Sequence, residues 1–253
     1  MTDLVLSEWI KFKSLRGSWV RLAFAIAINL AIVAFGLWFF NRSIGDSEPD
    51  TGLTNRIGTI SGGVSMAVIL MVVVGVIVYS GEIKSRSIIP SVTVVPNRTN
   101  MVAAKAILVG LVGLATGVLL MVLNTGISML VLDLEGFPLS LDDTDVARVI
   151  VGGVVFVTLS ALFGLGIGLM ANSQTLGITI GILWPTAIES SAQAFLPDWI
   201  GRFLPFEAGS AMLEVPANPD LPPWEGAAVF LLWAALVIVV GGSMFSKRDL
   251  GSS

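Results

Sequence analysis

The sequence predicts an all-α membrane protein with six transmembrane helices, preceded by an amphipathic interfacial helix. Between Arg148 and Glu189 the chain runs 40 residues without a charged side chain. One helix of that length would measure about 60 Å, twice the roughly 30 Å hydrocarbon core of a bilayer, so the stretch must hold two spans. Hydrophobic residues make up 55 % of the chain and charged residues 13 %, about half the charged share of soluble domains.

The composition also excludes several kinds of catalytic site. The chain has no Cys and no His, which excludes disulfides, thiolate nucleophiles, Ser-His-Asp triads and most His-based zinc sites. Gly is never followed by Lys, so there is no P-loop for ATP. We expect a transport protein that is not an enzyme, with no cofactor or metal of its own and no nucleic-acid partner.

The expected spans are the uncharged gaps between charged residues. The fourth and fifth share the long gap and are separated at the polar stretch Ala171–Thr175. Pro185 interrupts the fifth, and Glu189 sits near its end. All spans belong to one domain, residues 1–250. They are Leu22–Asn41, Ile57–Gly81, Ala106–Leu132, Val149–Met170, Thr175–Ala194 and Gly226–Ser246.

The distribution of basic residues predicts the orientation. With the N-terminus in the cytoplasm, ten of the 14 Lys and Arg residues fall on the inner side and four on the outer side, as the positive-inside rule requires. Both termini are then cytoplasmic, in a multi-pass protein of the inner (plasma) membrane. No small-residue cleavage site follows the first apolar run, where the sequence is Phe39–Arg42, so we interpret that run as a retained span and not a signal peptide.

Residues 4–19 are predicted to form the interfacial helix. Val5, Leu6, Trp9, Ile10 and Phe12 fall on one side of a helical wheel, and such a helix lies flat at the inner membrane surface, in contact with lipid. The alternative is a positively charged flank that only sets topology. The residues expected to matter in this interfacial helix are Glu8, Trp9, Lys11, Lys13 and Arg16.

The cytoplasmic segment between spans two and three, residues 82–100, is predicted to contain a short helix. It would run from Glu82 to Ile89 and end at Pro90. Glu82 and Arg86 are spaced i, i+4 with the acid first, the more favourable order. Ile83 and Ile88 contribute to an apolar edge, which favours docking onto a soluble partner. The alternative is a plain loop whose charges only enforce topology.

Polar side chains at membrane depth are expensive and usually functional. Asn29, Asn124, Glu189 and Gln193 are the candidates for lining a pathway. The alternative is interhelical hydrogen bonding for the two Asn residues, and contact with water for Glu189. Small residues such as Gly164 and Gly168 have the spacing of close helix packing, either inside one subunit or at a dimer face.

Residues 195–225 are predicted to lie outside, as short helices at the outer interface. Trp199 and Trp224 would be interfacial anchors. The segment is punctuated by Pro197, Pro205, Pro216, Pro219, Pro222 and Pro223.

Three stretches together resemble the permease subunit of type-2 ABC exporters, especially the small bacterial kind with a separate ATPase. The first is LSEWIKFKSLRGSW at residues 6–19, similar to the family's elbow. The second is GEIKSRSI at residues 81–88, followed by PNRT at 96–99 and Lys105, similar to its coupling segment. The third is FSKRDL at residues 245–250. Ile83 departs from the family, which usually has an aromatic residue there, and we expect only a small loss of packing.

The resemblance implies a division of labour between two kinds of subunit. The permease forms a pathway of alternating access for an unknown exported substrate, and the ATPase binds ATP and Mg²⁺. Two permeases, identical or homologous, would work with two ATPases, and residues 195–225 would form a re-entrant helix pair. The residues implied in ATPase coupling are Glu82, Ile83, Lys84, Arg86, Ser87, Ile88, Pro90, Pro96 and Arg98.

Two other kinds of function stay open from the sequence. One is a stand-alone secondary transporter or channel, for which no internal repeat is visible. The other is a non-transport membrane protein, such as an assembly anchor or an immunity protein. Dependence of activity on a co-purified ATPase distinguishes the exporter from both.

Overall fold

The structure is a computed structural model, and it describes residues 5–10, 16–44, 52–84, 98–134, 136, 139–171, 173–215 and 221–247. Within those ranges every regular element is helical. The central helix, α6, packs against α4, α5 and α11. The helices are α1 (residues 5–10), α2 (Arg16–Ile44), α3 (Gly52–Ser61), α4 (Val64–Lys84), α5 (Arg98–Leu134), α6 (Thr144–Met170), α7 (Gln174–Leu183), α8 (Glu189–Phe195), α9 (Asp198–Gly201), α10 (Pro205–Ser210) and α11 (Pro223–Lys247).

Four helical stretches are long and apolar enough to cross a membrane. They contain the predicted spans two, three, four and six, so the expected class of all-α, multi-pass membrane protein agrees with the structure. The first predicted span lies in α2, where Leu22–Trp38 is a shorter apolar stretch. The count of six spans stays a prediction. The four stretches are Arg56–Gly81, Thr99–Leu134, Thr144–Met170 and Pro223–Ser246.

The helix predicted over residues 4–19 is not confirmed as one element. Residues 5–10 form α1, and residues 11–15 lie outside the described ranges. Arg16 begins α2, so Arg16–Trp19 continue into the helix of the first span. The helix begins before the predicted span at Leu22 because charged residues such as Arg16 are good helix formers, although their side chains prefer water to the membrane core.

The second predicted span is divided by a turn at Gly62 and Gly63. The sequence predicted one element over Ile57–Gly81, but α3 ends at Ser61 and α4 begins at Val64. Two consecutive glycines weaken a helix because Gly loses the most backbone entropy. The amide of Gly62 donates to the carbonyl of Gly58 at 2.9 Å, and the amide of Ala67 donates to that of Gly63 at 3.2 Å.

The fifth predicted span contains a π turn and not a chain break. Pro185 lacks an amide hydrogen and cannot continue the α-helical ladder. The chain forms a π turn over Trp184–Ile188, and the amide of Glu189 donates to the carbonyl of Trp184, five residues earlier. The helical path therefore continues from α7 into α8, with an insertion of the kind often found at functional sites.

Glycines bring α6 into backbone contact with two neighbours. A Cβ atom at Gly164 would collide with the carbonyl of Val72, and one at Gly168 would lie 2.8 Å from the carbonyl oxygen of Val76; both of these partners are in α4. Gly166 faces Val237 in α11. This stripe of small residues therefore packs inside one subunit, the first of the two alternatives drawn from the sequence.

The region from residue 195 to 225 contains two short helices, α9 and α10, and its residues 216–220 lie outside the description. The ring of Phe206 in α10 packs against those of Phe163 in α6 and Phe230 in α11, with centroid distances of 5.3 and 5.2 Å. These aromatic contacts fix α10 to the bundle. A re-entrant path through the membrane stays a prediction.

Candidate functional site

A buried ion pair joins the N-terminal helix to the helix after the coupling segment. The ammonium of Lys105 lies 2.6 Å from a carboxylate oxygen of Glu8. The side chains are only 1 % and 8 % exposed. Trp9, the next residue of α1, is partly exposed. Lys11 and Lys13 lie outside the described residues, and only the backbone of Arg16 is placed.

The predicted coupling segment is described only at its two ends. Glu82, Ile83 and Lys84 form the last turn of α4, and Arg98 is the first residue of α5. The first three residues predicted for the short helix therefore belong to α4, and the short helix itself stays a prediction. The other coupling residues lie outside the described part of the chain: Arg86, Ser87, Ile88, Pro90 and Pro96.

Residues in or beside all three motif stretches meet at one end of the bundle. The ring of Phe245, in the third stretch, packs edge-on against Tyr79, two residues before the second stretch, with centroids 5.4 Å apart. Val102 of α5 approaches α11, because a Cβ at Gly242 would lie 3.6 Å from it. With the pair Glu8–Lys105, these contacts place the elbow, the ends of the coupling segment and the C-terminal stretch side by side.

Asn29 and Asn124 converge on the break in the second span. The amide nitrogen of Asn29 donates to the carbonyl of Gly63 at 2.7 Å, and that of Asn124 donates to the carbonyl of Ile60 at 3.4 Å. Both side chains are fully buried. The two Asn side chains therefore form interhelical hydrogen bonds, which the sequence offered as the alternative to a pathway role. Each side chain uses only its amide nitrogen in these bonds. The partners could not be named from the sequence, because they are backbone carbonyls on either side of a turn that the sequence did not predict.

Glu189 and Gln193 meet α10 near the predicted outer face. The carboxylate of Glu189, only 4 % exposed, accepts a 2.6 Å hydrogen bond from the amide of Glu207. The side-chain nitrogen of Gln193 donates to the carboxylate of Glu207 at 2.8 Å. The other oxygen of Glu189 has no hydrogen-bond partner among the described residues. Glu189 thus caps the first turn of α10, where helix amides lack partners.

Two residues of these arrangements, Glu207 and Ser128, were missed as site candidates in the sequence. Glu207 lies 18 residues from Glu189 and could not be paired with it from spacing alone. Thr125 and Ser128 are buried beside Asn124 with unpartnered hydroxyls, as far as the described ranges show. Their spacing of one and four residues from Asn124 is a signal that could have identified a polar helix face. No family model and no curated protein matches this sequence.

Proposed function

We propose that this chain is the membrane-spanning subunit of an ATP-driven exporter, forming the substrate pathway and coupled to a separate ABC ATPase. The observation that carries the proposal is the meeting of the three motif regions at one end of the bundle, through the Glu8–Lys105 pair and the Tyr79–Phe245 contact. This end is the one the basic residues predict to be cytoplasmic. An ATPase docked there would contact the ends of α4 and α5 together.

The packing suggests how motion of an ATPase would reach the membrane. The coupling segment connects α4 directly to α5, so a shift of the segment acts on both helices. Lys105 lies about two turns into α5 and would move α1 with it, because separating a buried ion pair is unfavourable. On the other side, α4 contacts α6 through Gly164 without intervening side chains. Two permeases, identical or homologous, with two ATPases that hold ATP and Mg²⁺ would alternate the pathway between its two faces.

The test is a set of substitutions in the coupling segment. Glu82→Ala with Arg86→Ala, or Ile88→Asp alone, should leave expression and membrane insertion unchanged. Each should weaken co-purification of the ATPase from the native host, or uncouple ATP hydrolysis from transport. A buried charge from Ile88→Asp would be unpaired in the partner's cleft. The matched control is Asp142→Ala, at an exposed residue of the opposite, predicted outer end. It should change neither the co-purification of the ATPase nor the coupling of ATP hydrolysis to transport.

Two outcomes contradict the proposal. If the coupling variants purify with a full complement of ATPase and transport normally, the coupling assignment is wrong. If no ATPase co-purifies with the unmutated chain under mild detergent conditions, the exporter function itself is wrong.

One observation favours the second candidate, a stand-alone secondary transporter. The break at Gly62–Gly63, with buried Asn oxygens beside it, has the character of the discontinuous helices that such transporters use to bind ions. Purified chain reconstituted alone into liposomes separates the two functions. Accumulation driven by an ion gradient without ATPase supports the secondary transporter, and strict dependence on added ATPase and ATP supports the exporter.

A further inference from the structure

Four buried oxygen atoms on α2 and α5, the two helices whose Asn side chains contact the break in the second span, have no hydrogen-bond partner within the ranges that the structure describes. Two are amide oxygens, from Asn29 and Asn124, and two are hydroxyls, from Thr125 and Ser128. Asn29, Asn124 and Ser128 are fully buried, and Thr125 is 6 % exposed. Buried polar groups in native proteins are nearly always paired, so one such oxygen on α2 and three within five residues of α5 require an explanation.

The orientation of the two amides is determined by their partners. The carbonyls of Gly63 and Ile60 accept but cannot donate, so the Asn29 and Asn124 nitrogens must face them. Each side-chain oxygen is therefore directed away from the carbonyl its nitrogen contacts. Turning either amide over would place two acceptors against each other. The unpartnered atoms are thus acceptors by necessity, with lone pairs that only a donor or a cation satisfies.

The two hydroxyls differ from other buried hydroxyls of the bundle. Ser80 and Ser160 each donate to the carbonyl four residues earlier, at 2.8 and 2.7 Å. That bond is the usual way for a helix to satisfy a hydroxyl in an apolar environment. Thr125 and Ser128 are in the same kind of helix, with the same option, and do not make that bond. Their oxygens remain free to accept.

The four groups come from two helices that approach the same break. On α5, Asn124, Thr125 and Ser128 share one face, because residues one, three and four apart lie within an arc of about 100°. The carbonyl of Ile60, which accepts from Asn124, precedes that of Gly63 by three residues, roughly one helical turn of about 5 Å. Asn29 therefore reaches the break from α2 within about a turn of the place where Asn124 reaches it from α5.

The chemistry of these oxygens selects the ligand. Uncharged amide and hydroxyl oxygens suit a hard monovalent cation, whereas Mg²⁺ and Ca²⁺ sites are built on carboxylates. In the described part of the chain no three acidic residues come together as a metal site. We propose that the break between α3 and α4 holds a sodium site, with the oxygens of Asn29, Asn124, Thr125 and Ser128 as ligands.

This inference does not depend on the proposed ATPase coupling, because cation binding is a property of this chain alone. The probe is Na⁺ itself. The full chain, purified in detergent, is unfolded by heat in increasing NaCl, with choline chloride keeping the ionic strength constant. A ligand that binds only the folded state raises the melting temperature with its concentration. We expect the melting temperature to rise with Na⁺ concentration until it saturates, to rise less with K⁺ and not to rise with choline.

Ser128→Ala gives the sharpest variant, because it removes a proposed ligand without breaking a hydrogen bond in the described structure. In choline it should melt at or above the temperature of the unmutated chain, since an unsatisfied polar group is gone. In Na⁺ it should lose most of the concentration-dependent rise. A purely structural serine would not give opposite effects in the two media. Asn124→Leu should also abolish the rise if the protein folds.

The matched control is Ser160→Ala, which removes a buried hydroxyl that is already hydrogen-bonded to its own helix. It should lower the melting temperature equally in both media and keep the sodium response. Equal melting temperatures of the unmutated chain in Na⁺, K⁺ and choline would overturn the proposal. So would a sodium response that survives in Ser128→Ala at full size.

Discussion

Glu8 and Lys105 form an ion pair at 2.6 Å although 97 residues separate them in the chain. Both side chains are buried, so neither charge is compensated by water. In such an environment the attraction between partners is strong, but it mainly offsets the desolvation of the two charges. The pair therefore fixes where the N-terminal helix docks more than it adds to net stability.

The first prediction concerns this pair. Lys105→Met should destabilise the protein by about 3–5 kcal/mol, because it removes the ammonium that lies 2.6 Å from the buried Glu8 carboxylate. Adding Glu8→Gln should recover a large part of the loss. The measurement is the melting temperature by intrinsic Trp fluorescence in detergent. The control is Asp145→Asn in the part-exposed pair with Arg148, which should change stability by at most about 1 kcal/mol. A double variant no more stable than Lys105→Met would contradict this account.

The second prediction concerns the contact between α6 and α4. Gly164→Ala should destabilise the bundle by about 1–3 kcal/mol or more, because the new Cβ would collide with the carbonyl of Val72 and the two helices must move apart. Gly36→Ala is the matched control, since a Cβ at this helical glycine meets no atom within 4 Å in the described structure. It should be neutral or stabilising by about 0.5–1 kcal/mol. Thermal unfolding compares the two, and equal effects would argue against the close approach.

The third prediction separates two roles of Glu189. Glu189→Gln keeps an acceptor for the amide of Glu207 and should leave the fold intact. Glu189→Ala removes that acceptor and should lower stability by about 1–3 kcal/mol. The sequence suggested a pathway role for this residue, and that role stays a prediction. It requires the Gln variant to change export or substrate-stimulated ATPase activity, and normal transport by a well-folded Gln variant would refute it.

The fourth prediction concerns orientation in the membrane. Because the chain has no Cys, single cysteines report accessibility without background. An impermeant thiol reagent applied to intact cells should label a Cys introduced at Ser140 or Asn218, but not one at Ser91 or Ser252. Permeabilised cells should allow labelling at all four positions, which controls for reactivity. The reverse pattern in intact cells would show that the chain is inserted the other way.

The long helices could be predicted from the sequence because an apolar stretch of about 20 residues without charges has the length that a helix needs to cross a bilayer. The gap over Ile57–Gly81 carries no information on continuity, so the division at Gly62–Gly63 was missed, although a Gly-Gly pair is a recognised breaker. Pro185 was seen as an interruption, but its resolution by a π turn depends on packing. The partner of Lys105 and the partner of Glu189 are set by tertiary structure, which spacing along the chain does not encode.

The π turn at Trp184–Ile188 changes which side chains of the following helix face the bundle. It holds one residue more than an α turn, so everything after it is rotated by about 100° relative to a regular helix. That rotation decides which neighbour faces the bundle: Glu189 is 4 % exposed, whereas Ile188 is 44 % exposed. Removing one residue inside this turn, with Pro185 the natural choice, would convert it to a regular turn and leave α8 facing as it does now. The same deletion within α7, with the π turn kept, would rotate Glu189 by about 100° away from α10.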